Sequence, residues 1–415
     1  MNAESLRCKE CGTEFGFGAV FYCERCFGPL EVTYDYSSIE PDTARRRIQA
    51  GTPGIWRYRD FLPCAESTAA RIRLEPGLTP LVRADGLAER IGCEAEIWVK
   101  NDAANPTHSF KDRVVAVAVA RAIELGYETI ACASTGNLAN AVAAQASACG
   151  LESFVFVPAD LEREKLLATA IYGGNLIGVR GNYDDVNRLC TELAQEKPWA
   201  FVNVNLRPYY SEGSKTLAYE TVEQLGWKLP DRVVCPIASG SLFTRIGRGF
   251  NEWIELGLVE GDLPVFTGAQ AAGCSPVAAA FEKGEETCTP QKPETIAKSL
   301  AIGNPADGPY ALAQARSSEG SIESVTDEEI RRGIRDLAET TGIFTETAGG
   351  VTVAVLRKLA ERGDLSPGEK VVTFITGDGL KTLEANLDSF GIEEIDPRLD
   401  SFEGAFPGQA TLVAG

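Results

Sequence analysis

Thr129-Ile130-Ala131-Cys132-Ala133-Ser134-Thr135-Gly136-Asn137-Leu138-Ala139-Asn140, running on into the small-residue segment 141–148, is the stretch whose reading decides the fold. Five apolar residues without polar alternation predict a strand buried on both faces, and the Ser/Thr/Gly turn behind them opens a helix. The pattern recurs at 96–100, 153–157, 175–179, 200–204, 232–237, 265–269 and 370–375. Strands of this kind, each followed by a turn and a helix, predict an α/β chain with parallel sheets covered on both sides. Such sheets bind ligands beyond the carboxyl ends of their strands, so the turns are where chemistry is expected.

The chain has 415 residues, 44% hydrophobic and 24% charged. That exceeds one ordinary core and predicts two or three folding units of a soluble globular protein. A formal net charge of −19 repels phosphate backbones and anionic membranes, which excludes general nucleic-acid binding and membrane partners from the expected functions. No apolar run is long enough to span a bilayer, and the first residues carry neither a signal core nor a transit pattern; the cytoplasm is the expected compartment.

Of twelve cysteines, eight are scattered singly and read as small buried hydrophobes. The other four are Cys8, Cys11, Cys23 and Cys26, two C-x-x-C pairs that a ribbon can fold onto one ion. Four thiolates suit a structural Zn²⁺ and leave no open coordination position, so catalysis at this metal is not expected. Residues 36–95 are Arg- and Pro-rich, and Arg45-Arg46-Arg47 read as a solvated helix face.

Four turns could carry chemistry. In Asn105-Pro106-Thr107-His108-Ser109-Phe110-Lys111-Asp112-Arg113 the lysine falls in the first turn of an apolar helix over 114–123. There the helix dipole opposes a cation and favours the neutral, nucleophilic amine, although a lysine at such a spot is by itself most often a surface residue. The turn from Ser134 to Asn140 gathers hydroxyls, an amide and free helix N–H groups; alone it reads equally as a helix cap. The loop Ala238-Ser239-Gly240-Ser241-Leu242 is built to cradle a phosphate, and Ile375-Thr376-Gly377-Asp378-Gly379-Leu380-Lys381 allows close approach of a ligand to the backbone.

In this order the four turns resemble those of the fold-type II pyridoxal-phosphate (PLP) enzymes, and more closely the threonine synthases. The resemblance runs from about Trp56 to Leu387 and includes Gly181-Asn182-Tyr183-Asp184-Asp185, Glu212-Gly213-Ser214-Lys215-Thr216 and Ile302-Gly303-Asn304-Pro305. It implies two doubly wound α/β/α domains behind a small N-terminal zinc ribbon, which resembles an extension found in some threonine-synthase relatives. It also implies that Lys111 holds PLP as a Schiff base, that Asn137 bonds the 3′-oxygen of its ring, that residues Ala238, Ser239, Gly240, Ser241 and Leu242 bind its phosphate, and that Thr376 faces its ring nitrogen. The implied reaction converts O-phospho-L-homoserine and water to L-threonine and phosphate, the last step of threonine biosynthesis. Lys111 is the implied base, and Ser134 and Thr135 hold the substrate carboxylate.

By the same resemblance residues 1–35 form the ribbon, about 127–212 a smaller subdomain, about 36–126 and 213–395 the larger domain, and 396–415 a loosely held tail; a homodimer is implied. The sequence departs from the family at His108, where many members have Gly, and at Leu138-Ala139, where they have Thr-Ser or Thr-Ala. Recognition of the substrate phosphate must therefore differ, with Lys165, Arg188, Arg207 and Lys215 as the available cations and His108 as a further candidate contact. The competing readings are a paralogue such as cysteate synthase or threonine dehydratase, and a non-enzymatic zinc-ribbon protein that senses a metabolite.

Overall fold

The computed structural model describes residues 2–20, 22–134, 136–159, 163–181, 183–386 and 391–407, with the side chains of 163–165, 183 and 184 outside that description. At the N-terminus β1 (Ala3–Cys8), β2 (Glu14–Phe15) and β3 (Leu30–Tyr34) pair antiparallel in the order β2-β1-β3. The chain then lays down β4 (Leu81–Arg83) and β5 (Glu96–Asn101) before crossing through a buried helix, Lys111–Glu124. Next come β6 (Thr129–Ala133), β7 (Glu152–Pro158), β8 (Asn175–Val179) and β9 (Ala200–Phe201), which form a parallel sheet in the order β8-β7-β6-β9. β10 (Arg232–Pro236), β11 (Val265–Ala271), β12 (Ser321–Val325) and β13 (Lys370–Ile375) then complete a six-stranded sheet in the order β12-β11-β10-β13-β5-β4.

The expected α/β architecture with two parallel sheets is what the chain adopts. Every residue of β6 is buried, as its unbroken apolar run requires. β4 runs antiparallel to β5 at one edge of the larger sheet, which is therefore not purely parallel. β12, at the other edge, escaped the sequence reading because an edge strand buries little and tolerates Ser and Glu at its centre. The run at 200–204 yields a strand of only two residues. Asn205 curls the chain there: its Oδ1 accepts from the Phe201 N–H at 2.8 Å and its amide donates to the Trp199 carbonyl at 3.0 Å. In the expected tail, a helix over Leu399–Ala405 buries no side chain, and residues 408–415 lie outside the described set.

The ribbon shares its core with the body. Leu6, Leu30 and Val32 pack in one cluster with the Val114–Ala120 face of the buried helix and with Tyr209. Below that helix lies a buried ionic network. Arg113, 0% exposed, sets its Nε and Nη2 on both oxygens of Asp102 at 2.6 and 2.8 Å and its Nη1 and Nη2 on Glu220 at 2.5 and 2.8 Å. Lys100 adds a bond to Glu220 at 2.7 Å and donates to the Thr79 carbonyl and to Gln224. Burial by itself would raise the Glu220 pKa, but Arg113 and Lys100 outweigh it and hold the carboxyl at about 2.

Removing Arg113 leaves two buried carboxylates without their main partner, so Arg113→Met is expected to cost about 3–5 kcal/mol in a denaturant titration. Because folding depresses the Glu220 pKa from the ordinary 4.5 to about 2, its contribution is complete above pH 4.5 and fades as the pH falls toward 2. Unfolding followed against pH should show this acid loss, and Glu220→Gln should flatten it.

Candidate active site

β5, β13 and β10 are neighbours in the larger sheet, so the segments that follow them open at the same edge. These are 105–111, 376–381 and 238–242, three of the four turns singled out in the sequence. Backbone pairing locks the first two together: Phe110 N–H donates to the Thr376 carbonyl at 2.9 Å, Asp378 N–H to the His108 carbonyl at 3.1 Å, and Ser109 bridges Gly377. The fourth turn, after β6, is tied in by Asn137, whose amide reaches Glu346 at 2.8 Å, and the Thr376 hydroxyl donates to the other oxygen of Glu346 at 3.2 Å.

The run Lys111-Asp112-Arg113 divides its work by direction. Arg113 points down into the ionic network. Asp112 is buried and turns back, accepting from both the N–H and the hydroxyl of Thr107 at 2.7 Å, which fixes the loop before the helix. Lys111 is left half-buried at the helix start, where its Nζ donates to the Tyr210 hydroxyl at 2.8 Å and lies 4.6 Å from the Phe110 ring centre.

Two uncapped helix starts face this region. Asn137–Cys149 begins after Gly136 with no side-chain cap, and the buried Ser134 accepts the Gly136 N–H at 3.3 Å. Ser241–Glu255 begins after Gly240, which adopts φ +95° with its α-carbon pressed to the Asp307 carbonyl; an added Cβ would sit 2.7 Å from that oxygen. Glycine there lets the 238–242 backbone present its amides, the arrangement that binds a phosphate. An amine, an amide and a hydroxyl around a dry carboxylate, with a glycine-built anion cradle alongside, is a donor set that fits PLP.

Other expected residues sit elsewhere. Lys215 is 0% exposed, bound by Glu212 at 2.7 Å and Glu252 at 3.0 Å with its ammonium over the Tyr34 ring; as a ligand for a substrate phosphate it is corrected to a structural lysine. Arg188 is exposed on a helix surface and pairs with Asp185 at 3.2 Å. Arg207 pairs with Asp307 at 2.7 Å, whose N–H holds the Ser239 carbonyl, and it lines a cavity of about 280 Å³ with Lys9, Ser241 and Arg245. Thr135 and the side chain of Lys165 lie outside the described residues. His108 is exposed and carries φ +63°, a left-handed backbone that glycine adopts freely.

The sequence reading missed Glu346 and Tyr210 at the site and gave no role to Lys381, the last residue of the 375–381 turn. Glu346 is buried, and desolvation raises its pKa against the opposing pull of Asn137 and Lys381. Lys381 donates to Asn140 at 3.0 Å and is pushed below the usual lysine range, chiefly by burial. Tyr210 meets Lys111 across 99 residues of sequence, a contact no local pattern signals.

At the N-terminus all four sulfurs of Cys8, Cys11, Cys23 and Cys26 lie within 4.8 Å of one another, with 3.4 Å between Cys8 and Cys26 and 3.5 Å between Cys11 and Cys23. A tetrahedron of Zn–S bonds of roughly 2.3 Å spaces its corners about 3.8 Å apart, so the cluster fits one small metal-binding motif.

The family described as pyridoxal-phosphate dependent enzyme matches residues 72–377. A threonine synthase of Methanosarcina acetivorans is 39% identical over 412 residues, covering 98% of this chain and 99% of the relative. One from Methanocaldococcus jannaschii is 39% identical over 381 residues, 91% and 93% of the two chains. Among solved structures, maize serine racemase superposes with a TM-score of 0.62 over 75% of this chain and 92% of its own at 19% identity, a likeness of fold. With a family match over most of its length and relatives matched from end to end, the chain belongs to the pyridoxal-phosphate-dependent enzymes and, within them, to the threonine synthases.

Proposed function

We propose that the protein converts O-phospho-L-homoserine and water to L-threonine and phosphate, with PLP carried on Lys111. The observation that carries the reading is that the turns bearing Lys111, Thr376 and the 238–242 loop follow neighbouring strands of one sheet, with Asn137 of the other sheet tied to Thr376 through Glu346, in a chain whose relatives are threonine synthases. When bound, PLP supplies the electron sink that lets an amino acid lose protons next to its amine. Lys111, at the start of its helix with its Nζ on the Tyr210 hydroxyl, is the base that moves the Cα and Cβ protons. Asn137 would hold the ring through its oxygen substituent, the 238–242 amides would hold the cofactor phosphate, and Thr376 would offer the ring nitrogen a neutral hydroxyl, so that PLP held there would supply a moderated sink. Ser134 and Thr135 are assigned to the substrate carboxylate, and Arg207, beside the 238–242 loop, is the candidate cation best situated for an anionic substrate.

We also assign a structural zinc to Cys8, Cys11, Cys23 and Cys26, a division into units at about 127–212 and 36–126 with 213–395, and a homodimer. All twelve cysteines are free, which fits a reducing cytoplasm, and among the described residues no helix is long and apolar enough to cross a membrane.

Purified enzyme loaded with PLP should release threonine and inorganic phosphate in equal amounts from O-phosphohomoserine, and should act at least about 100-fold less well on O-phosphoserine with sulfite or on threonine. Absence of threonine from the first would sink the reading in favour of a paralogue. For the ribbon, native mass spectrometry should find one zinc per chain; Cys23→Ser should abolish it and expose Lys9 and Arg25 to trypsin while the bound cofactor's absorbance persists. Retention of zinc by that variant would remove the assignment.

A further inference from the structure

We propose that Tyr210 is a further catalytic residue, carrying protons between Lys111 and solvent. The proposal rests on the reading of Lys111 as cofactor anchor and base. Among the described residues, the Tyr210 hydroxyl makes the one side-chain hydrogen bond of the Lys111 Nζ, at 2.8 Å, and the ammonium lies 5.5 Å from the centre of the Tyr210 ring. Tyr210 is half-buried, so part of its side chain is open to water.

A phenol suits this position because Lys111 must change protonation state. As an ammonium Lys111 donates to the phenol oxygen; as a neutral amine its lone pair accepts the phenol O–H. A carboxylate at the same distance would favour the ammonium and oppose the base. The nearby Glu346 is instead engaged by Asn137 and Thr376. In the transfer, one N–H bond of Lys111 breaks as its proton bonds to the phenol oxygen, and the phenol's own proton passes to water. The reverse sequence recharges the amine, and the phenol is unchanged in both directions.

The hydroxyl is held where it is by its neighbours on the short helix Arg207–Glu212. The Tyr209 hydroxyl is bonded to both the N–H and the carbonyl of Gly18, at 3.0 and 3.1 Å, in the N-terminal ribbon. Glu212 accepts from Tyr34 of β3 at 2.6 Å and from Arg245 at 2.7 Å. These bonds fix the short helix that carries Tyr210.

The test is Tyr210→Phe, which removes the hydroxyl and keeps the ring, read in two ways. In stopped-flow absorbance, attachment of PLP to the apoenzyme, which requires Lys111 to shed protons, should slow about tenfold, while borohydride still fixes the cofactor on the Lys111 peptide. In D₂O, NMR should show exchange of the threonine α-proton by the loaded variant falling about 100-fold. Lys111→Ala should abolish both signals. Wild-type enzyme that fails to exchange threonine would overturn the reaction reading and this proposal with it; exchange by Tyr210→Phe at the wild-type rate would overturn the proposal alone. Should the variant lose PLP, a fluorinated tyrosine incorporated at position 210 keeps ring and hydroxyl but makes the phenol more acidic. Its exchange rate should then differ by about two- to fivefold, and an unchanged rate would overturn the role.

Discussion

The bonds between Arg113 and the carboxylates of Asp102 and Glu220 are the constraint on which the site depends. They join the end of β5 and the start of the Lys111–Glu124 helix to a third segment about a hundred residues further on, the helix over Thr216–Gln224. Burying these charges is costly, and only near-complete pairing makes it tolerable; Lys100, Thr79 and Thr216 supply the remaining bonds. The pairing also confers direction. A guanidinium held on two carboxylates fixes the rotation of its helix, and Lys111, two residues earlier, is thereby aimed at the sheet edge where the turns meet.

The same logic explains why the lysine is followed by Asp-Arg. Asp112 ties back to Thr107 and closes the loop, Arg113 anchors the helix, and neither is free to compete for the ligand that Lys111 faces. The amides at the start of the Lys111 helix are spent on the Ser109 and Phe110 carbonyls, whereas the start of Ser241–Glu255 behind Gly240, with no side-chain cap, has amides to offer. The candidate cofactor site is thus built from ends of regular elements, and its side chains are few.

How far the sequence could be read follows from what each residue depends on. Strands such as β6, whose apolar run is continuous, were legible because burial on both faces is a local requirement. The paired C-x-x-C spacing was legible for the same reason: four sulfurs within 4.8 Å need little beyond two tight turns. Lys215 misled because a sequence displays charge and conceals burial; its partners Glu212 and Glu252 absorb the ammonium entirely. Glu346, Lys381 and Tyr210 act through contacts made only once two sheets have been set side by side. His108 could be flagged as a departure, but its left-handed backbone, which gives the departure its meaning, is a property of the loop.

The ribbon is better understood as a wall of the enzyme than as an appendage. A helix of six residues such as Arg207–Glu212 has no stability of its own in water, so its place is dictated by what it packs against. On one side that is the Lys111–Glu124 helix, and on the other β3 and the Gly18 loop of the ribbon, whose apolar residues share a core with both. Zinc at the four cysteines would stiffen a sheet of three short strands that is too small to hold its shape by hydrophobic burial alone. Metal at these cysteines would then be linked through packing to the setting of the residues around Lys111. That linkage gives a physical reason for a catalytically inert ribbon to remain attached to an enzyme whose chemistry lies in the turns of its sheets.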